Sequence, residues 1–456
     1  MRRLFVRTLL FAPVLLLIGS PAADTETTDS PTEWLAEYIA IDTSNPPGNE
    51  TPAVAFLRAI LHREGIETSV FVSPRGRPSL YARLDAEPDA DQGAVVLTHH
   101  MDVVPAGPGW TVEPFSQPPE DDRIWGRGAV DDKSLGIAHL AAFIDLARSK
   151  LKLKHSVVFL AVADEETGGK EGTGWLIERH PELFEDTVAV LGEGGLNRAY
   201  GGRVLWWGIE VSQKRPLWLR VTAWGRGGHG SMLNLGSAPH QLAKAVARLV
   251  DRPLEYRVTP PVSHYLESVA LYQSDAFAAM VDSLDDIITR PEPHRDLLPG
   301  IPNYLLDTVQ VNVLEAGEQI NVVPTSASAL IDARLLPGTD QEDFLARIEE
   351  TLGADLDIEV LLDAPPAPVA SIENSIYQCL SRSLPGNAPT VPSFIPGITD
   401  SRYFRQQKID AYGFSPFVFE PTEAIGVHGK NEKISIATFE RGVETMRRVL
   451  KACVAY

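Results

Sequence analysis

The sequence predicts an α/β fold with a small sheet-and-helix domain inserted in its second half. Three observations lead there. Short apolar runs at 94–98, 156–163 and 187–191 read as buried strands, and helical apolar spacing falls between them. Beyond Gln213 the pattern changes to alternating apolar and polar residues, as in half-exposed strands. At 456 residues the chain is too long for one ordinary core.

The elements follow in order. Residues 24–31 are polar and loose. Helical spacing covers 32–41 and 51–64, with the loop Asn45-Pro46-Pro47-Gly48 between them. Strands at 69–72 and 79–84 precede the 94–98 run. A helix over 133–149 puts Leu135, Ala138, Ala142, Phe143 and Leu146 on one side, before the strands at 156–163 and 187–191. Strands at 217–223, 308–314, 327–335 and 358–362, with helices at 239–250 and 341–352, mark the inserted domain, 214–364, between flanking parts at 32–213 and 365–456. Residues 252–307 fit this scheme less simply. They are expected to elaborate the inserted domain with one or two helices, such as 268–289. Phe277, Met280, Val281 and Leu284 there suit an acyl-pocket wall or ordinary packing, and packing is favoured. The α/β pattern resumes at Ile372 and ends in a helix over 436–452.

Composition narrows the function. Hydrophobic content of 44% and charge of 22% are typical of a folded soluble protein. A net charge of -20 would be repelled by nucleic acid and by anionic membrane surfaces. Arg2, Arg3 and Arg7, the apolar run 9–18 and the small residues Ser20-Pro21-Ala22-Ala23 read as a signal peptide over 1–23, with an uncleaved anchor as the alternative. The expected location is periplasmic or secreted, with no stable membrane span after cleavage. Only Cys379 and Cys453 occur. An oxidising compartment permits their pairing without requiring it, and two cysteines cannot make a thiolate zinc site. Any metal must therefore be held by His, Asp and Glu.

Ligands in open α/β sheets gather at the carboxyl ends of strands. Four groups meet that rule or sit at a helix start: His100 with Asp102, Asp164-Glu165-Glu166, Glu193 between glycines, and Asp131-Asp132 before the 133–149 helix. Each alone has a plain reading, as a core histidine, a solvated turn or a helix cap. Together they converge several carboxylates on one face, where they repel unless cations lie between them. Zinc accepts imidazole nitrogen and carboxylate oxygen, and one carboxylate can bridge two ions. His428 in VHGKNEK is the candidate second imidazole.

HHMDVVP, WGRGAVDDK, ADEETGG, LGEGG, GRGGHGSM and VHGKNEKIS, in this order, resemble the di-zinc exopeptidase family of aminoacylase, carnosinase, carboxypeptidase G and succinyl-diaminopimelate desuccinylase. WTVEPFS, TDSRYF and HGKNEKIS carry a narrower likeness to carboxypeptidase S and the secreted N-acyl amino acid hydrolases. The resemblance implies a catalytic domain with a mixed sheet between helices, interrupted by an α+β lid or dimerisation domain. It implies metal ligands at His100, Asp131 (bridging), Glu166, Glu193 and His428, with Asp102 orienting His100 and Glu165 as general base. His229 would stabilise the oxyanion, in relatives often across a dimer interface. Asn321, Arg334 and Gly397 would contact substrate; Arg334 suits a free carboxylate but has an ion pair with Asp332 as its alternative.

The implied chemistry is hydrolysis of an N-acyl amino acid or the terminal bond of a short peptide. Two Zn2+ ions, replaceable by Co2+ or Mn2+, would activate a shared water whose proton Glu165 takes. A homodimer through the inserted domain accords with the family. The rival is a catalytically silent metal- or peptide-binding protein on the same fold, which the complete ligand and base set disfavours.

Overall fold

A computed structural model describes residues 30–89, 92–115, 121–201, 203–419, 423 and 426–456. The expected signal segment, 1–23, and Ser116 lie outside the described residues. Among the described residues, nine strands form one large sheet. Its order is Thr68–Val72, Pro78–Leu84, Ser156–Val162, Ala94–His100, Thr187–Gly192, Ala411–Gly413, Arg203–Gln213 and Thr390–Ile395, with Arg198–Tyr200 paired off Arg203–Gln213. The four strands from Ser156–Val162 to Ala411–Gly413 are mutually parallel, and antiparallel pairs flank them, so the sheet is mixed. The parallel centre explains the apolar runs, because such strands are covered on both faces. All seven residues of Ala94–His100 are buried. Val95 and Leu97 join the layer under the helices Lys133–Ser149 and Ile436–Val454, while Ala94 and Val96 face the layer containing Leu176, Phe184 and Phe404.

A second sheet lies within the span expected for the insert. Its order is Thr308–Ala316, Ser326–Leu335, Arg215–Trp224, Leu356–Asp363, all antiparallel. Every second residue of Ser326–Leu335 is buried, and this apolar face packs under the helices Ala238–Val250 and Gln341–Leu352. Asp332 and Arg334 point the other way.

One expected element needs amendment, and three strands add to the expected set. The helix expected over 268–289 is broken into Pro260–Ala270, Asp275–Asp282 and Leu284–Ile287, because Ser274 accepts a hydrogen bond from the Phe277 N–H and starts a new helix. These helices pack against Trp206 of Arg203–Gln213 and against Val391 and Phe394 of the edge strand Thr390–Ile395. Phe277, Met280 and Leu284 are buried in that contact. The strands Arg203–Gln213, Thr390–Ile395 and Ala411–Gly413 were not expected. The first carries Trp206 and Trp207 without clean alternation, the second contains Pro392, and the third is three residues long.

Cys379 and Cys453 form a disulfide that ties the helix Ser375–Ser383 to the C-terminal helix across 74 residues of sequence. A cross-link closing a loop of that size restricts the unfolded chain. Cys379→Ser should lower stability by about 2–4 kcal/mol, read as a reduced urea midpoint. An unchanged midpoint would show that the bridge contributes nothing.

Candidate metal centre

The carboxyl ends of the central strands deliver the site. His100 is the last residue of its strand, Glu193 follows Thr187–Gly192, and Asp164-Glu165-Glu166 follow Ser156–Val162. Asp131 lies in the turn before Lys133–Ser149. His100 Nε2 lies 3.1 Å from Asp131 Oδ1 and 3.6 Å from Glu193 Oε2. His428 Nε2 lies 3.2 Å from Asp131 Oδ2 and 3.2 Å from Glu166 Oε2. The two oxygens of Asp131 thus face two different imidazoles, each with its own second carboxylate. Asp132 also reaches the His100 side, where it groups with His100 and Glu193.

Local structure fixes these positions. Asp164 has φ 73°, a left-handed turn that starts the short helix Glu165–Thr167. The Asp102 carboxylate accepts the N–H of Glu165 and of Glu166, each at 3.1 Å. It therefore anchors the Glu165 turn. His100 Nδ1 is instead 2.8 Å from the Asp102 carbonyl oxygen, with Asp102 Oδ1 at 3.8 Å. The orienting contact expected from the Asp102 side chain is made by its main chain.

A second clamp holds Asp131 and the His428 loop. Glu432 accepts the N–H of Val130 at 2.8 Å, of Asp131 at 3.0 Å and of Gly128 at 3.1 Å, and pairs with Arg127 at 2.6 Å. Arg127 also donates to the Gly429 carbonyl. The motifs GRGAVDDK and VHGKNEK, 300 residues apart, are therefore one structural unit. Behind His100 sits His99, whose Nε2 is 3.3 Å from the Tyr38 hydroxyl. A Cβ at Gly136 would lie 2.2 Å from this ring, so the helix approaches the strand only because that residue is glycine.

Burial pushes the Glu165 and Glu166 carboxyls up, assisted by the charge of Glu193 and of Asp131 respectively. Burial likewise raises Glu193, to about 7, against the opposing pull of His100. Burial disfavours the charged His100, but Glu193 and Asp131 outweigh it and raise its pKa. Hydrogen bonds to Asp131 and Glu166 raise His428 to about 10. Divalent cations fit this donor set. Both cysteines are in the disulfide, the facing atoms are imidazole nitrogen and carboxylate oxygen, and Asp132 Oδ2 and Glu193 Oε1 are buried without a partner.

The remaining expected residues sit elsewhere. His229 is exposed on the short strand Gly228–His229, paired with Val322–Val323, and its Nδ1 is 2.8 Å from Ser231 Oγ. Asn321 adjoins it, its carbonyl accepting the Gly230 N–H. Arg334 forms a two-point pair with Asp332, at 2.6 and 2.9 Å. Gly397 is exposed after Thr390–Ile395. Among the described residues, no hydrogen bond or ion pair joins any of these side chains to the cluster. Sequence reasoning gave no role to two others. Asn45 donates to Asp102 at 2.8 Å and to Thr167 at 3.0 Å, tying the Asn-Pro-Pro-Gly loop to the Glu165 turn. Asp400 walls a small pocket with His100, Glu165 and Glu193, and one of its oxygens is buried without a partner. Neither carries a signal beyond its motif, because each acts through residues distant in sequence.

The description "Peptidase family M20/M25/M40" matches residues 96–452. The chain belongs to this family. Among its curated relatives, the N-fatty-acyl-amino acid synthase/hydrolase PM20D1 of Xenopus tropicalis is 28% identical over 360 residues, covering 76% of this chain and 69% of the relative. Human aminoacylase-1 is 26% identical over 426 residues, covering 91% and 93%. The probable carboxypeptidase S-like 2 of Dictyostelium discoideum is 26% identical over 384 residues, covering 79% and 72%. The M20 metallo-carboxypeptidase Sso-CP2 of Sulfolobus solfataricus shares the fold with a TM-score of 0.70 at 20% identity, covering 93% of this chain and 99% of that one. This M20 protein is thus a hydrolase of the metallopeptidase and aminoacylase type, with a candidate metal-binding cluster at the centre of its fold.

The Glu432 clamp is open to test. Glu432→Ala leaves Arg127 buried without its acid and frees the Val130–Asp131 backbone. The expected cost is about 3–5 kcal/mol of stability and a roughly 10–100-fold loss of metal affinity, read by urea unfolding and by metal competition. Unchanged values in both would remove Glu432 from the site.

Proposed function

We propose that this M20 hydrolase holds two zinc ions and cleaves the amide bond of N-acyl amino acids or the terminal bond of short peptides. The observation that carries the reading is Asp131, with one carboxylate oxygen toward His100 and the other toward His428, which also faces Glu166. His100 and Glu193 would hold one ion, His428 and Glu166 the other, with Asp131 shared; Co2+ or Mn2+ would satisfy the same donors. Such ions supply Lewis acidity, polarising a carbonyl and making bound water acidic near neutral pH.

The chain's own residues do the rest. Glu165 is buried beside the cluster, with Oε1 free of partners and its carboxyl pushed up by burial. It would take the proton of the attacking water and deliver it to the leaving nitrogen. Asp102 keeps Glu165 in place through the backbone of its turn. His229, Asn321, Arg334 and Gly397 are proposed to complete the substrate site from above. That requires the second sheet to close over the cluster, or a partner subunit to present it. Met232, Leu233, Leu235 and Ile320 are apolar and exposed near His229 and favour a homodimer through this region. Export is supported by the disulfide and the N-terminal sequence pattern. Among the described residues no helix is long and apolar enough to cross a membrane.

Zinc-loaded protein should hydrolyse N-acyl amino acids or dipeptides and lose that activity to a chelator. Glu165→Ala should reduce kcat by roughly 10²–10⁴-fold while the bound metal per chain stays at the wild-type level. Full activity in that variant would remove Glu165 as the base, and chelator-insensitive turnover would remove the metals from the reaction.

A further inference from the structure

The chain passes from the large sheet to the second sheet between Gln213 and Arg215, and it leaves the second sheet at Asp363. Both crossings lead to one residue, Gly168, which closes the turn that carries Glu165. The Gly168 N–H bonds the Glu165 carbonyl at 2.8 Å. Its φ of 105° is one that residues with a side chain rarely adopt.

The first crossing reaches Gly168 through polar groups. Gln213 Nε2 donates to the Thr399 carbonyl at 3.0 Å, and Thr399 Oγ1 donates back to Gln213 Oε1 at 2.8 Å. The same Thr399 carbonyl accepts from Arg402 Nη1 at 2.9 Å, and Arg402 Nη2 donates to the Gly168 carbonyl at 2.6 Å. The Tyr403 hydroxyl donates to that carbonyl as well, at 2.6 Å. Arg402 is 2% exposed, and among the described residues it makes no ion pair. A guanidinium is costly to bury away from an acid. Here it joins two main-chain carbonyls, one beside the crossing and one at the end of the Glu165 turn.

The second crossing reaches Gly168 through Leu362. The ladder between Leu356–Asp363 and Arg215–Trp224 slips by one residue between Val360 and Leu362. Such a bulge re-aims the side chains beyond it. Leu356 and Ile358 lie with the apolar layer under Ala238–Val250 and Gln341–Leu352, whereas Leu362, although 3% exposed, is outside that layer. It packs on Gly168 instead, where a Cβ would lie 2.8 Å from Leu362 Cδ2.

We propose that Arg402 and Leu362 are positioning residues for Glu165, acting through Gly168, so that the seat of the second sheet on the large sheet sets where the base points. The proposal rests on the hydrolase reading above, in which Glu165 is the base. Asp102 holds the front of the turn by the N–H groups of Glu165 and Glu166. The rear is held at Gly168 alone by side chains of other segments. With the rear released, the short helix turns about the Asp102 anchor and carries the carboxyl out of line. A displacement of about 1 Å is enough to cost roughly 100-fold in rate.

The test uses zinc-loaded protein and whichever of N-acetylphenylalanine, N-decanoylphenylalanine and alanylphenylalanine the wild type cleaves fastest. Arg402→Met and Leu362→Ala should each lower kcat roughly 100-fold, with KM and bound zinc per chain at the wild-type level. Leu362→Met, which refills the space, should recover most of the loss. The same changes are then made in a Glu165→Ala background. There they should lower the residual kcat little further, because residues that act through Glu165 lose their effect once it is gone. A merely structural role would lower the residual kcat by the same factor as in the wild type. Circular dichroism checks the fold of each variant. Tyr403→Phe, which removes one donor to Gly168 and keeps the ring, carries the comparison if Arg402→Met does not fold. Wild-type kcat in the folded variants, or equal losses with and without Glu165, would overturn the positioning role and leave the hydrolase intact. No hydrolysis of any of the three compounds by the zinc-loaded wild type would overturn the hydrolase reading and the positioning role with it.

Discussion

Everything at the centre of this protein depends on holding like charges together out of water. Asp131, Asp132, Glu165, Glu166 and Glu193 converge where four parallel strands end, and burial raises the cost of ionising them. Such a group persists in a fold when protons or interleaved positive charge offset the repulsion. His100 and His428 supply part of it, and Asp131 is the acid both imidazoles share. Divalent cations are the stronger solution with the same donors.

The surrounding structure is arranged to keep that geometry. Asp102 and Glu432 do not face the cluster's centre; they accept backbone N–H groups and so fix the turns that carry Glu165, Glu166 and Asp131. Both accept at turns rich in free N–H groups, where a carboxylate is a good acceptor. Asn45 links the first of these clamps to the N-terminal loop, and Arg127 links the second to the His428 loop. Positioning is therefore distributed over segments far apart in sequence, which meet because the central strands are parallel and their ends align.

Much of this was readable in the amino-acid order. Buried parallel strands announce themselves as unbroken apolar runs, and His100, Glu166 and Glu193 follow those runs closely; Asp131 is legible from the helix it precedes, and His428 joins the group only through the resemblance of VHGKNEKIS. What the sequence hid was of two kinds. Arg203–Gln213 and Thr390–Ile395 lie toward one edge of the sheet, where tryptophans, a proline and packing helices replace the simple pattern. The other kind is choice of partner. Arg334 sits two residues from Asp332 on the same face of one strand, and nothing in the sequence says whether its guanidinium is paired there or held for a substrate. Asp102 was read as a side-chain partner of His100, yet its carboxylate is committed to the Glu165 turn, because that turn presents two free N–H groups at once.

The most direct test of the shared-carboxylate account is metal stoichiometry in the folded chain. Native mass spectrometry of the protein, stripped of metal and titrated with zinc, should give two ions per chain. Asp131→Asn, which keeps the size of the side chain but offers a single carbonyl oxygen, should lose the doubly loaded state. Saturation at one ion or none in the wild type, or two ions bound as tightly by Asp131→Asn, would contradict a centre organised around that carboxylate.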